Sequence, residues 1–372
     1  MTPAAHTFGS VIRRIAGFAA IAGALSFGGL ARPRAAFPAD LSKVYDAALG
    51  GDMVSALAVL DSLDQTSLSP KDSSTASCIR TTFGAAPVEE ELPSRSRAIL
   101  TAYRTYWQNA MLHRRSKPEA EKNLLEDLNA VLGAGSQAAG ASDSLAVVSE
   151  RAKAAIESEG LFALAGVTSP FWELMIWRNQ TPATYKVKLT DRSVDVRVVF
   201  LDEFVSLGWA GYATCGRAHS GGWATNDALY ALRSSYDLES EDFRVSYLAH
   251  EGRHFSDYSR FPKLEQPELE YRAKLTEIAL SEKNTHRLIE GFARRSGRDR
   301  SVPHSFANYC VARDVDRAVF GGAGAEGALD PTKWAGVSAE KVRRAARDLL
   351  ESCDQRLKRL GAATTQRFLE SE

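Results

Sequence analysis

One stretch constrains this chain more than any other: residues 240–261, reading SEDFRVSYLAHEGRHFSDYSRF. It contains His250-Glu251-Gly252-Arg253-His254, an H-E-x-x-H. In a helix, residues four apart share a face, so His250 and His254 project one turn apart and can grip one metal ion. Glu251 stands beside them, within reach of a water on that ion, which is the arrangement a zinc hydrolase needs. The flanks predict a well-formed helix. Ser240 is a suitable N-cap, Glu241 and Asp242 suit the positive helix start, and Pro262 ends the element. Phe243, Tyr247, His250, His254 and Tyr258 fall on one stripe at helical spacing. The competing reading is a half-buried structural helix with two ordinary histidines.

A catalytic zinc takes three protein ligands and keeps one position open. A third histidine six residues after the second is excluded, because that position is Arg260, and the glycine expected between them is Asp257. Asp257, three residues past His254, is better placed to orient an imidazole than to ligate. The remaining source is a following helix opened by Gln266-Pro267-Glu268-Leu269, with Pro near its start. It carries Glu270 and Glu277, two turns apart on one face. Glu270 is the preferred ligand because it lies near the helix start, where the chain has just left the metal helix; Glu277 is the alternative. Without the preceding motif, Glu270, Arg272 and Glu277 would read as a solvated charged face.

His250, Glu251 and His254, followed by a Glu-bearing helix, resemble the zincin metallopeptidases of the gluzincin kind over about residues 185–290. The resemblance implies a mixed sheet whose edge strand lies over a cleft, then the metal helix, then the glutamate helix. Two positions depart from the pattern. Arg253 stands where those enzymes usually have an uncharged residue, and Lys274 replaces the acid of their Glu-x-x-x-Asp pairing.

The rest of the chain supplies context. Residues 41–63 read as two short helices broken at Gly50-Gly51, residues 65–93 as a polar loop, and residues 95–113 as a helix. Ser116-Lys117-Pro118-Glu119 is a capping box opening the next helix. Residues 133–143 form a connector, and a further helix runs to about residue 165. Beyond Gly166, the aromatic group Phe171, Trp172, Met175 and Trp177 reads as core, and residues 185–189 and 194–201 alternate as a hairpin. A Gly-rich stretch, 207–225, precedes a last strand at 228–232. Such a sheet edge can bind an extended peptide as one more strand. His219, in that stretch, reads as a surface residue. Residues 306–370 are helical. The expected class is therefore α+β: a helical domain at 37–166, then a zincin-like domain at 167–372 with a small mixed sheet, metal-binding helices and a helical C-terminal cap.

The N-terminus bears on compartment. Arg13-Arg14, an uncharged run at 15–31, then Ala35-Ala36 read as a signal peptide over residues 1–36, placing the mature protein in the periplasm or outside the cell. Its removal leaves 42 basic and 46 acidic residues, a net of −4. That balance argues against nucleic acid as a partner, and no stable membrane span is expected after cleavage. In an oxidising compartment Cys78, Cys215, Cys310 and Cys353 can form two bridges; Cys310 with Cys353 is the pairing favoured by their shared helical region.

The expected function is zinc-dependent hydrolysis of a peptide or protein substrate, with His250, His254 and Glu270 as ligands and Glu251 as general base. His304 is the first choice for the donor that meets the oxyanion, with Tyr309 and His286 behind it. The rival readings are a helical interaction protein with a structural or decayed metal site, and a zinc hydrolase acting on a non-peptide amide.

Overall fold

The structure is a computed structural model that describes residues 39–64, 66, 68–85, 91–133, 143–225, 228–321 and 330–369. The expected signal peptide and most of the connector at 133–143 lie outside the described residues. Among the described residues no helix is long and apolar enough to cross a membrane.

The described residues begin with helices α1 (Ala39–Leu49), α2 (Met53–Ser62), α3 (Pro70–Gly84), α4 (Ser94–Met111), α5 (Lys117–Gly133) and α6 (Leu145–Ser158). Helix α5 starts on the expected box: Glu119 accepts from the backbone N–H and the hydroxyl of Ser116 at 2.9 and 2.7 Å. Helix α3 corrects the loop expected at 65–93. Its polar composition hides a cap, Ser69 accepting from the Asp72 N–H, with Pro70 at the first helical position and Thr75, Ala76, Ile79 and Phe83 buried at helical spacing. Helix α6 also stops earlier than expected. Gly160, at φ 83°, turns the chain out of the helix and into a strand.

That strand is β1 (Phe162–Thr168), followed by β2 (Phe171–Lys188), β3 (Ser193–Leu207), α7 (Gly208–Ala213), β4 (Gly222–Ala224) and β5 (Leu229–Leu232). The sheet order is β1-β2-β3-β5-β4. Among the described residues only β3 and β5 run parallel; the other pairs are antiparallel, so the sheet is mixed. The hairpin of β2 and β3 extends well beyond the expected residues 185–201. The first half of β2, FWELMIW, lacks clean alternation because both its faces are covered. Leu174 and Ile176 enter the core under α1–α7, whereas Met175 and Trp177 join Val199, Leu201 and Leu232 on the opposite face.

The second half of the chain begins with a π-helix at Asp242–Ala249 that runs directly into α8 (His250–Arg260). Ser240 Oγ accepts from the Phe243 N–H at 3.0 Å, as its capping role requires. Then come α9 (Gln266–Leu280), α10 (Thr285–Arg294), α11 (Pro303–Phe320) and α12 (Ala339–Leu360). The architecture is α+β: helices, a small mixed sheet with flanking helices, and a helical C-terminal cap. Helix α8 lies close on the hairpin because Gly252 has no side chain. A Cβ there would come within 3.0 and 3.2 Å of the Val194 and Val196 methyls. Helix α9 is central and buried on all sides.

The disulfide corrects the favoured pairing. Cys78 on α3 is bonded to Cys215 just after α7, 137 residues away, while Cys310 and Cys353 are buried free thiols in the core of the cap. Burial pushes both thiols up to about 12. Closing so long a loop restricts the unfolded chain by about 5 kcal/mol on the entropic account.

A buried acid ties the sheet to α7. Glu173 accepts from the Trp209 N–H at 2.9 Å, and Gly208, at φ 80°, leaves the room: a Cβ there would lie 1.9 Å from Glu173 Oε1. Burial outweighs these hydrogen bonds and lifts the Glu173 pKa to about 7. A raised folded-state pKa on an acid means that stability is full below the unfolded value near 4.5 and falls as pH rises toward 7. Glu173→Gln removes that loss. Its stability relative to wild type should improve by about 3 kcal/mol between pH 4 and pH 8, read from urea midpoints at the two pH values.

Candidate metal centre

Helices α8 and α9 place three donors together. His250, His254 and Glu270 are all buried, and their ligand atoms lie within 4.8 Å of one another. The His250 and His254 Nε2 atoms are 3.1 Å apart. His254 Nε2 is 3.3 Å from Glu270 Oε1, and His250 Nε2 is 3.6 Å from Glu270 Oε2. In a tetrahedral zinc site with bonds of about 2.0–2.1 Å, neighbouring ligand atoms stand about 3.3 Å apart. The three separations match the edges of that tetrahedron. Two imidazole nitrogens facing each other at 3.1 Å need a proton or a cation between them.

The electrostatics also favour a cation. Burial opposes charge on His250, but the Glu277 hydrogen bond and the carboxylates of Glu270, Glu277 and Glu251 outweigh it and push its pKa up to about 9. Burial likewise opposes charge on Glu270. Contacts with His254 and His304 and the charge of His250 hold its carboxyl well below the usual range. The donor set of two imidazoles and one carboxylate fits zinc. Among the described residues the cluster has three members.

The two carboxylates of α9 divide the work. Glu270 faces the Nε2 side of both imidazoles. Glu277, two turns on, sits 2.8 Å from His250 Nδ1, the far side of the ring. That contact fixes the tautomer that leaves Nε2 for a metal. His304, at the start of α11, brings Nδ1 to 2.7 Å from Glu270 Oε2. Lys274 lies 3.7 Å from the same oxygen, its ammonium over the Phe292 ring. Glu251 is half-buried beside the cluster. Its charge helps to raise Tyr236, Tyr247 and Tyr258, each first raised by burial, so it lies within electrostatic reach of three phenols.

Other sequence candidates lie elsewhere. His286 Nε2 contacts the Val337 carbonyl at 2.7 Å. Tyr309 is buried beneath the guanidinium groups of Arg298 and Arg313. His219 Nδ1 meets the Ser220 carbonyl. Asp257 does not orient an imidazole: its two oxygens bind Arg272 at 2.6 and 3.0 Å. The Tyr258 ring stacks on the His254 imidazole at 6.2 Å and 22°.

No protein-family model, curated protein or solved structure matches this chain. The geometry itself carries the comparison: the His250/His254/Glu270 cluster, on a metal helix and a glutamate helix beside a mixed sheet, is consistent with a gluzincin-type metal site.

The two departures from that pattern have structural roles. Arg253, 1% exposed, donates to Thr276 Oγ1 on α9 and to Thr190 and Asp191 in the β2–β3 turn. It fastens the metal helix to both neighbours. Lys274 places its ammonium beside Glu270, where the gluzincin pairing has an acid. Behind the cluster, Asp257 pairs with Arg272, Arg272 with Asp354, and Asp354 with Arg260. This balanced network joins α8, α9 and α12.

Proposed function

We propose that the protein is a zinc-dependent peptidase acting on peptide or protein substrates, secreted or periplasmic. The observation that carries this reading is the three-member His250/His254/Glu270 cluster with Glu251 beside it. Bound there, zinc would supply a Lewis acid for the scissile carbonyl and lower the pKa of the attacking water toward neutrality. Glu251 takes the proton of that water and returns it to the leaving amine. Glu277 holds His250 in its metal-ready tautomer, and His304 holds Glu270. The Cys78–Cys215 disulfide supports an oxidising compartment.

Zinc removal tests the reading. The zinc-loaded protein is expected to hydrolyse fluorescein-labelled casein, to lose more than about 100-fold of that activity on exhaustive treatment with 1,10-phenanthroline, and to regain it with one equivalent of zinc. Hydrolysis that survives complete zinc removal, or a zinc-loaded protein that cleaves nothing, would contradict it.

A further inference from the structure

Lys274, which stands where the gluzincin pairing has an acid, is buried, with only 8% of its surface exposed. It lies on α9 one turn past Glu270, with Nζ 3.7 Å from Glu270 Oε2 and 5.1 Å from the centre of the Phe292 ring. Among the described residues Glu270 is the carboxylate with which it pairs. We propose that Lys274 is a positioning residue that acts on the metal through Glu270: it takes a share of the carboxylate's charge and so keeps the hold on a divalent ion weaker than the acids alone would make it. The inference rests on the zinc-site part of the reading above and is independent of the substrate.

The charge around the cluster is the first support. Glu270 faces both imidazoles, Glu277 lies 2.8 Å from His250 Nδ1, and the charge of Glu251 also reaches His250. With the imidazoles neutral, these three carboxylates and the one ammonium of Lys274 leave two negative charges, which a single divalent ion neutralises. Without the lysine a third negative charge would remain. A site so buried pulls a cation harder for every uncompensated acid, because little water screens the attraction. Glu277 already orients His250, so position 274 is not needed for that task.

The two oxygens of Glu270 are the second support, because they have different neighbours. Oε1 lies 3.3 Å from His254 Nε2. Oε2 lies 3.6 Å from His250 Nε2, but it also has His304 Nδ1 at 2.7 Å and the Lys274 ammonium at 3.7 Å. A lysine ammonium has three donors and no acceptor, so toward a carboxylate it can only draw charge away. Two opposing effects decide what its loss would do. Removing the ammonium frees Glu270 to move, which weakens metal binding; it also removes a positive charge that repels the ion, which strengthens binding. The first effect is small here, since the His304 contact at 2.7 Å and the packing of α9 on all sides still hold the carboxylate. The second is large, since both cations compete for one buried carboxylate. The balance favours tighter binding without the lysine.

The test is the zinc affinity of the full chain, measured at one pH by competition with a chromophoric chelator. Wild type, Lys274→Met, Lys274→Gln and Lys274→Arg are compared, with circular dichroism of each metal-free protein to confirm folding. Methionine keeps an apolar stem beside Phe292 and removes the charge, glutamine does the same with a polar end should methionine not fold, and arginine keeps the charge. The uncharged variants should bind zinc about tenfold more tightly than wild type, or tighter still, and Lys274→Arg should stay within about threefold of it. A merely structural lysine gives the opposite sign, because losing it loosens Glu270. A folded uncharged variant that binds zinc no more tightly than wild type would therefore overturn the proposal, as would a Lys274→Arg variant as tight as Lys274→Met. A folded wild type that takes up no zinc would contradict the zinc site itself, and the role of Lys274 would fall with it.

Discussion

Glu251→Gln is expected to lower kcat by about 10³-fold while leaving one zinc per chain and an unchanged thermal midpoint. The side chain is half-buried and is not among the three clustered donors, so its removal takes nothing from the metal. Glutamine keeps the size and the hydrogen-bonding reach of glutamate but cannot take up a proton at neutral pH. The loss should therefore fall on kcat with little change in KM. Metal analysis, thermal denaturation and steady-state kinetics on one preparation distinguish this from collateral damage. Loss of zinc in this variant would mean that Glu251 is a ligand, and full activity would remove it from the mechanism.

The second large effect is on stability. Asp257 is completely buried and faces Arg272, itself completely buried, at 2.6 Å, with Arg253 and Arg260 each 4.0 Å away. Asp257→Ala leaves guanidinium groups in the interior with one carboxylate too few. Removing one partner of such a buried pair costs about 3–5 kcal/mol, because the remaining charge is neither solvated nor compensated. A drop of roughly 10 °C in Tm is expected, read by calorimetry on the metal-free protein. Because Asp257 fixes α8 against α9, zinc should also bind more weakly, although Asp257 touches neither histidine nor Glu270. A variant as stable as wild type would show that the network is an exposed-type set of weak pairs.

Much of the metal centre was legible because its chemistry is local. Two histidines one turn apart, a cap at Ser240 and a stop at Pro262 all lie within one short stretch. Position near the start of α9 favoured Glu270 over Glu277, and Glu270 is the one in the cluster; the separate role of Glu277 was not legible. Both lie on one face of α9, and only the depth of packing shows that one meets Nε2 and the other Nδ1. Helix α9 as a whole misleads for the same reason. Glu270, Arg272 and Glu277 look like a solvated face, yet their partners are His254 with His304, Asp257 with Asp354, and His250, all contributed by other parts of the fold. Arg253 stood out as an anomaly because its acceptors lie in the β2–β3 turn, some sixty residues upstream. The Cys78–Cys215 pairing was hidden by distance along the chain, and α3 by a composition that suits a loop as well as a capped helix. The start of the metal helix differs too: the stripe expected at 3.6-residue spacing begins in π-geometry, with Phe243 and Tyr247 stacked at 5.6 Å. Periodicity counts residues and does not distinguish a wider turn from a regular one over so short a span.

The central claim is that His250, His254 and Glu270 together hold one metal ion while Glu277 only orients His250. Zinc content after equilibrium dialysis tests it most directly, measured on wild type, Glu270→Gln and Glu277→Gln with circular dichroism to confirm folding. Wild type should retain close to one zinc per chain, Glu277→Gln should bind about 10–100-fold more weakly, and Glu270→Gln should retain essentially none under the same conditions. A folded wild-type protein that takes up no zinc, or a Glu270→Gln variant that holds it as tightly as wild type, would contradict the assignment.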